Sequence, residues 1–181
     1  MSQIEEEVAG MYDWEVGDPV YSAWLRMRQA WEAMDKALEV ELGKHQATLS
    51  QIDVLLILSS SKRPLSPGEI ASFMFREKHS ASALLTRMQK AGYVRKMRSK
   101  KDQRVVKIKM QPKGAELLSK AMPAAFGQAH RLLKSSLSPE EVKQLDTLMK
   151  KVRDGALREL GLKAEPLPAN IDAEGLLAGI S

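Results

Sequence analysis

The chain of 181 residues contains no cysteine, few aromatic residues and no long apolar run. The absence of cysteine excludes disulfides, thiolate metal sites and cysteine nucleophiles. The longest purely apolar run, from Val54 to Leu58, is five residues and is too short to span a membrane. Residues 1–18 hold six acids and no Lys or Arg, the opposite of a signal peptide. We therefore expect a cytoplasmic protein without a membrane partner.

Motifs for catalysis or metal binding are also missing. The three histidines, His45, His79 and His130, stand far apart in the sequence. None of them is paired at the i,i+3 or i,i+4 spacing of a helical metal motif. The chain has no Gly-rich phosphate loop, no HExxH or GxSxG motif, and no apolar-flanked carboxylate pair suited to acid–base catalysis. We predict that the protein is not an enzyme and uses no metal or cofactor.

Positive charge is concentrated in one stretch, residues 87–113, which we call the basic segment. It holds eleven Lys or Arg residues and a single acid, Asp102, whereas the rest of the chain holds 17 basic and 22 acidic residues. A compact basic segment on an otherwise acidic protein is typical of a site for a polyanion such as DNA. The simpler alternative is a solvated charged surface.

Apolar periodicity and capping motifs predict a mainly α fold with a small two- or three-stranded β wing. Ser50 with Asp53 is predicted to open a second helix, whose apolar positions are Ile52, Leu55, Leu56 and Leu58. The capping box from Ser66 to Glu69 is predicted to open a short third helix that buries Ile70, Ala71 and either Phe73 or Met74. A fourth helix should end at Gly92. Strands over residues 93–97 and 105–110 then flank a polar hairpin tip, and the second strand is predicted to place Val106, Ile108 and Met110 on its inward face. This order is typical of a winged helix-turn-helix.

The predicted winged helix-turn-helix, residues 49–111, lies between two helical regions that we interpret as dimerisation helices. The first is residues 18–48, which start with the N-cap pair Asp18-Pro19. The second is residues 112–160, in which Ser138 opens the last helix. An acidic arm, residues 1–17, and a tail, residues 161–181, complete the chain.

The fourth predicted helix has the position of a recognition helix, which enters the major groove of DNA. Its apolar positions for the core are Ala81, Leu84, Leu85 and Met88. The remaining face and the wing supply the candidate DNA-binding residues, which are Lys78, His79, Ser80, Ser82, Thr86, Arg87, Arg98, Lys100, Lys101, Asp102 and Arg104. Simple solvation of this face is the alternative.

Residues 49–114 resemble the MarR family of winged helix-turn-helix transcriptional regulators. The resemblance rests on several short matches in order along the chain: Leu65-Ser66, Glu69-Ile70-Ala71, Leu84, Met88, Ala91-Gly92-Tyr93-Val94 and Asp102-Gln103-Arg104. It implies that Arg104 reaches the minor groove or its phosphates and that Asp102 steadies it. It also implies a homodimer on double-stranded DNA, with a palindromic operator.

Two departures from the family pattern stand out. Met110-Gln111-Pro112-Lys113-Gly114 keeps the glycine of the family's Leu-Thr-x-x-Gly signature but lacks its threonine. Ala83 takes the place of an arginine often found on the outer face of the recognition helix. An unusual operator is therefore expected.

The first helix supplies a candidate effector pocket. Its residues are Tyr21, Trp24, Met27 and Trp31, and the family resemblance implies that such pockets take phenolic or other small aromatic ligands. A Met/Trp stripe at helical spacing is also typical of a core or a dimer seam. Two functions remain: a sequence-specific repressor released by such an effector, or a winged-helix protein that binds DNA nonspecifically or an acidic protein.

Overall fold

The structure, a computed structural model, describes residues 16–61, 63–98 and 106–164. Along the chain the elements are α1 (Pro19–Gly43), α2 (Leu49–Ser60), α3 (Pro67–Phe73), α4 (Lys78–Lys90), β1 (Val94–Arg98), β2 (Val106–Met110), α5 (Pro112–Ser136) and α6 (Pro139–Glu159). The boundary between two compact units falls within α1, between Ala37 and Leu38. The order of elements after α1 is that of a winged helix-turn-helix followed by two long helices, as predicted.

Capping residues fix where the helices begin. Asp18 accepts a hydrogen bond from the Tyr21 backbone N–H at 2.7 Å, which confirms the predicted start of α1. Both predicted Ser-Pro-x-Glu capping boxes are present, at Ser66 for α3 and at Ser138 for α6. The predicted start of α2 at Ser50 was wrong. Thr48 caps this helix together with Gln51, whose side chain is long enough to reach back to the N-cap backbone.

Helix α2 lies at the centre of the core. Its Val54 and Leu55 are completely buried, and Ile52 and Leu58 are nearly so. The periodicity predicted Ile52, Leu55 and Leu58 correctly but missed Val54, because a helix that is apolar on all sides shows no preferred face. Leu56, also predicted to be buried, is half-buried and packs against the core.

The two strands form an antiparallel hairpin whose register pairs Val94 with Met110 and Arg98 with Val106. Ile108 at the middle of β2 is fully buried, and its backbone N–H donates to the Leu65 carbonyl at 2.7 Å. This bridge fastens the wing to the loop before α3. The predicted inward face of β2 is confirmed, and the first strand begins one residue later than predicted, at Val94.

Two glycines are required where the wing joins the helices. Gly92 has a φ of +81°, the left-handed conformation that ends α4, as predicted. A Cβ on Gly114 would lie 2.3 Å from the Tyr93 carbonyl oxygen, so only glycine allows α5 to start this close to the wing. The glycine retained at position 114 is therefore explained by packing.

Apolar side chains outside the core occur on α3 and on the last helix. Of the two residues predicted as alternatives at the end of α3, Met74 packs against the core and Phe73 is exposed. In α6 only Leu157 is buried, whereas Leu148, Met149 and Val152 are exposed in the single chain. Within the described ranges no helix combines the length and apolarity needed to cross a membrane.

Candidate nucleic-acid interface

The recognition helix α4 has a buried and an exposed face, and the division is the predicted one. Ala81, Leu84, Leu85 and Met88 are all buried, because the apolar residues recur at helical spacing and pack against the rest of the core. Every candidate DNA-binding residue on this helix is exposed, namely Lys78, His79, Ser80, Ser82, Thr86 and Arg87. This exposed face carries hydroxyls, an imidazole and cationic groups, but no acidic side chain.

The N-terminus of α4 favours negative charge. Its N-cap, Glu77, makes no side-chain capping hydrogen bond, and the first turn contains no acidic residue. The first backbone N–H groups of a helix carry partial positive charge, to which Lys78 adds a cationic side chain. The helix end is therefore suited to a phosphate group.

A hydrogen bond joins the recognition helix to the wing. The Lys96 ammonium, on β1, donates to the Thr86 hydroxyl at 3.0 Å, and that hydroxyl in turn donates to the Ser82 carbonyl at 2.9 Å. Lys96 was not among the predicted site residues. The sequence carries no local pattern that predicts this contact, because Thr86 and Lys96 are ten residues apart and meet only when the hairpin folds beside α4.

Glu69 links the start of α3 to the wing. Its carboxylate accepts hydrogen bonds from Arg63 at 2.5 Å, from the Ser66 backbone N–H at 2.6 Å and from Lys107 on β2 at 3.3 Å. The Arg63 guanidinium, followed by Ser66, holds the pKa of this carboxyl well below its ordinary value. Glu69 therefore stays ionised and holds the wing against the helix-turn-helix.

The basic segment is divided between structural and exposed cations. Lys107 pairs with Glu69, while Lys113 donates to the Ala91 carbonyl at 2.9 Å and lies 5.3 Å from the centre of the Tyr93 ring. Both cations thus hold the wing to its neighbours. Besides Lys113, the exposed cations among the described residues of the segment are Arg87, Lys90, Arg95, Lys96, Arg98 and Lys109.

Four predicted site residues lie outside the described residues: Lys100, Lys101, Asp102 and Arg104. The strands on either side of them end at Arg98 and begin again at Val106. Arg98, the described site residue that lies nearest to these four in the sequence, is exposed. The roles of the other four stay predictions.

The candidate effector residues all lie on α1. The rings of Tyr21 and Trp24 are in contact, with centroids 5.6 Å apart and planes tilted by 45°. Tyr21, Trp24 and Trp31 are exposed and Met27 is half-buried in the single chain. Among the described residues no group of three or more His, Asp or Glu side chains could hold a metal ion.

Comparison with known proteins finds the same architecture, and a family model matches the middle of the chain. Residues 45–105 match the family model described as MarR family. A Bacillus cereus protein named as an uncharacterized HTH-type transcriptional regulator is 29% identical over 129 residues, which are 71% of this chain and 85% of that protein.

Two solved structures share the fold. A mutant of E. coli MarR, complexed with operator DNA, aligns with a TM-score of 0.68 and 21% identity, covering 76% of this chain and 98% of that one. The organohalide-sensing regulator RdhR-CbdbA1625, bound to 2,4-dichlorophenol, gives a TM-score of 0.71 and 21% identity, covering 86% of this chain and 89% of that one.

The elements and the packing of α2 to β2 define a winged helix-turn-helix protein. The family match over residues 45–105 and the regulator relatives support a MarR-family winged helix-turn-helix transcriptional regulator.

Proposed function

We propose that this regulator is a homodimer that binds a palindromic DNA site sequence-specifically, represses transcription there and is released by a small aromatic ligand. The observation that carries the proposal is the exposed face of α4, which presents hydroxyl and cationic side chains above a fully apolar buried face. Such a face fits the major groove, where each base pair displays its own pattern of donors and acceptors.

The exposed cations support DNA as the partner. Arg87 and Lys90 extend from α4, and Arg95, Arg98 and Lys109 from the hairpin. Cations arranged around a recognition helix neutralise phosphates and fix the register of the protein on the duplex. An acidic protein partner would use the same charges but would not need the hydroxyl-bearing face of α4.

The exposed apolar side chains of α6 support the homodimer. Leu148, at 55%, Met149 and Val152 are exposed in the single chain, as is the C-cap residue Leu160 at 66%. Covering a large apolar side chain contributes about 1.5–3 kcal/mol, so two copies of this stripe provide substantial association energy. A two-fold dimer would also place two recognition helices in successive major grooves, roughly 34 Å apart.

The aromatic effector and the repressor role form the finer part of the proposal. They are supported by the exposed aromatic pair Tyr21–Trp24 on α1 and by the fold shared with a regulator bound to 2,4-dichlorophenol. A ligand can release DNA only if it binds the DNA-free arrangement of the dimer more tightly. A hundredfold induction needs about 2.7 kcal/mol of such coupling.

The test is a binding-site selection with the full chain, followed by footprinting of the promoter region beside its own gene. A regulator should prefer one palindromic site by about a thousandfold or more over random DNA. Arg87→Ala should change the selected motif, and Lys109→Ala should lower affinity for all sites alike. A protein that recovers no motif, and binds random DNA equally well, would be a nonspecific coat instead.

Tryptophan fluorescence provides the effector test. Trp24 and Trp31 lie on α1 and report on ligands that bind beside it. Phenols and aromatic carboxylates are titrated into the protein–DNA complex while fluorescence and DNA release are followed together. A fluorescence change with DNA release supports the effector, and silence of both signals removes it from the proposal.

A further inference from the structure

The hydrogen bonds of Thr86 determine which part of its side chain is available to DNA. A threonine hydroxyl has one proton and two lone pairs, whereas a lysine ammonium can only donate. The hydroxyl must therefore accept from Lys96 at 3.0 Å, and its own proton is directed to the Ser82 carbonyl at 2.9 Å. Thr86 has no proton left for a base.

The hydroxyl keeps one lone pair that can accept from a base amino group, and the methyl group is the other part of this exposed side chain that can discriminate between bases. One turn earlier in the helix, the exposed Ala83 presents a second methyl group. Residues three apart on a helix have Cβ atoms about 5–6 Å apart, so the two methyl groups are neighbours.

These two residues also occupy the middle of the exposed face. Each residue advances about 100° around an α-helix, which places Ala83 and Thr86 within about 30° of the direction opposite the buried stripe. Ser80, Ser82 and Arg87 lie to the sides of this direction. His79 and Lys90 share this direction, one turn nearer each end of the helix, so the two methyl groups lie between an imidazole and an ammonium along the middle of the exposed face.

In the major groove the matching apolar group is the C5-methyl of thymine, which contacts alanine and the threonine methyl in protein–DNA complexes. We propose that Ala83 and Thr86 select DNA half-sites by contact with thymine C5-methyl groups, with Lys96 as the positioning residue for Thr86. The inference rests on the proposed function and specifies the bases that the proposed DNA-binding face reads.

The test uses the DNA site obtained by selection, with each thymine replaced in turn by deoxyuridine, which pairs with adenine but lacks the methyl group. For the wild-type chain, replacement of a contacted thymine should weaken binding about fourfold per half-site, the effect of one buried methyl group. Replacement of the other thymines should have no effect.

Two variants separate the methyl from the hydroxyl of Thr86. Thr86→Val keeps a methyl and removes the hydroxyl. Its affinity for DNA should therefore still fall when the contacted thymine is replaced by deoxyuridine. Thr86→Ser keeps the hydroxyl and removes the methyl, so it should bind thymine and deoxyuridine equally at one position. Ala83→Gly should do the same at a neighbouring thymine. Helix content by circular dichroism verifies that each variant is folded.

Lys109→Ala serves as the charge control, because this exposed lysine lies on β2 and away from α4. It should lower overall affinity and leave the thymine dependence unchanged. The inference is overturned if no thymine matters to the wild-type chain, if Thr86→Ser keeps the wild-type dependence, or if Thr86→Val loses it. Failure of the selection to return any motif would instead overturn the proposed function, and this inference with it.

Discussion

Helices α3 and α6 begin with the same Ser-Pro-x-Glu sequence but differ in how much of their apolar surface the single chain covers. In both, the serine hydroxyl accepts from the glutamate backbone N–H, at 3.2 Å for Ser66 and 3.3 Å for Ser138. Yet the seven-residue α3 buries Ile70 completely, whereas the 21-residue α6 buries only Leu157. A capping box therefore sets where a helix starts, and packing partners decide which face is covered.

The exposed surface of the DNA-binding region, formed by α4 and the hairpin, also differs in chemistry from the exposed surface of α6. The open face of α4 and the hairpin carry hydroxyl and cationic groups, while the open stripe of α6 carries Leu148, Met149 and Val152. The first surface suits a polyanion and the second suits another apolar surface. In our account DNA covers the first, and the second copy of the chain covers the second.

The largest expected difference between the two surfaces is the effect of salt on DNA affinity and on dimer affinity. If the wild-type dimer makes 6–10 phosphate contacts, raising the salt from about 50 to about 200 mM should lower DNA affinity by roughly 10³–10⁵. The dimer dissociation constant should change little, because apolar burial is not screened by ions. Fluorescence anisotropy with labelled DNA and sedimentation, at the same salt concentrations, measure the two effects. A dimer as sensitive to salt as the DNA complex would contradict the assignment of α6.

Truncation of a buried side chain should be the next largest effect. Ile70→Ala should lower the free energy of unfolding by about 2–5 kcal/mol, since it leaves a cavity in the core beside α4. Chemical denaturation should give the same loss at every protein concentration. The matched change on α6, Leu148→Ala, should cost stability only through dimerisation, so its effect should depend on protein concentration. If both variants lost the same free energy of unfolding at every protein concentration, the proposed difference between the core beside α4 and the α6 surface would be contradicted.

At the wing, Arg104→Ala should weaken binding to every DNA sequence by about 1–3 kcal/mol per half-site if Arg104 contacts a base edge, and less if it contacts a phosphate. Asp102→Ala should weaken binding as well, although it removes a negative charge, because the family resemblance implies that Asp102 steadies Arg104. Both are measured by anisotropy at fixed salt. Tighter binding by Asp102→Ala would show that net charge alone governs the wing.

The smallest expected effect compares the two capping glutamates at low pH. The folded state holds the pKa of Glu69 below its ordinary value of 4.5, mainly through Arg63, so its stabilisation is present above that pH and is lost as the pH falls further. Glu69→Gln should therefore reduce the acid sensitivity of unfolding, by about 1 kcal/mol or less for such a solvent-accessible ion pair.

Glu141→Gln is the matched variant on α6. The Ser138 backbone N–H lowers the pKa of Glu141, but no cation is among the causes of that shift. Glu141→Gln should change the loss of unfolding free energy at low pH by less than Glu69→Gln does. Denaturation curves at several pH values between about 3 and about 7 give the comparison. A larger effect at Glu141 would mean that the cap, and not the Arg63 pair, determines the pH dependence.

Local signals in the sequence predicted the caps at Ser66 and Ser138, the left-handed Gly92 and the buried face of α4, because each depends on residues within one or two turns. The contact between Lys96 and Thr86 could not be predicted in this way, since it forms only when the hairpin packs beside α4. The start of α2 was misplaced because Ser50 and Thr48 are both capping residues, and only Gln51 distinguishes them.

Sedimentation velocity of the full chain at micromolar concentration, without DNA, tests the central claim most directly. The wild type should sediment as a dimer. Leu148→Glu should give a monomer of unchanged helix content, because it places a charge in the proposed interface. Lys143→Glu, about 140° around α6 from Leu148, should remain a dimer. A wild-type monomer, or a dimer that Leu148→Glu leaves intact, would contradict the assignment of the α6 stripe to a second copy of the chain.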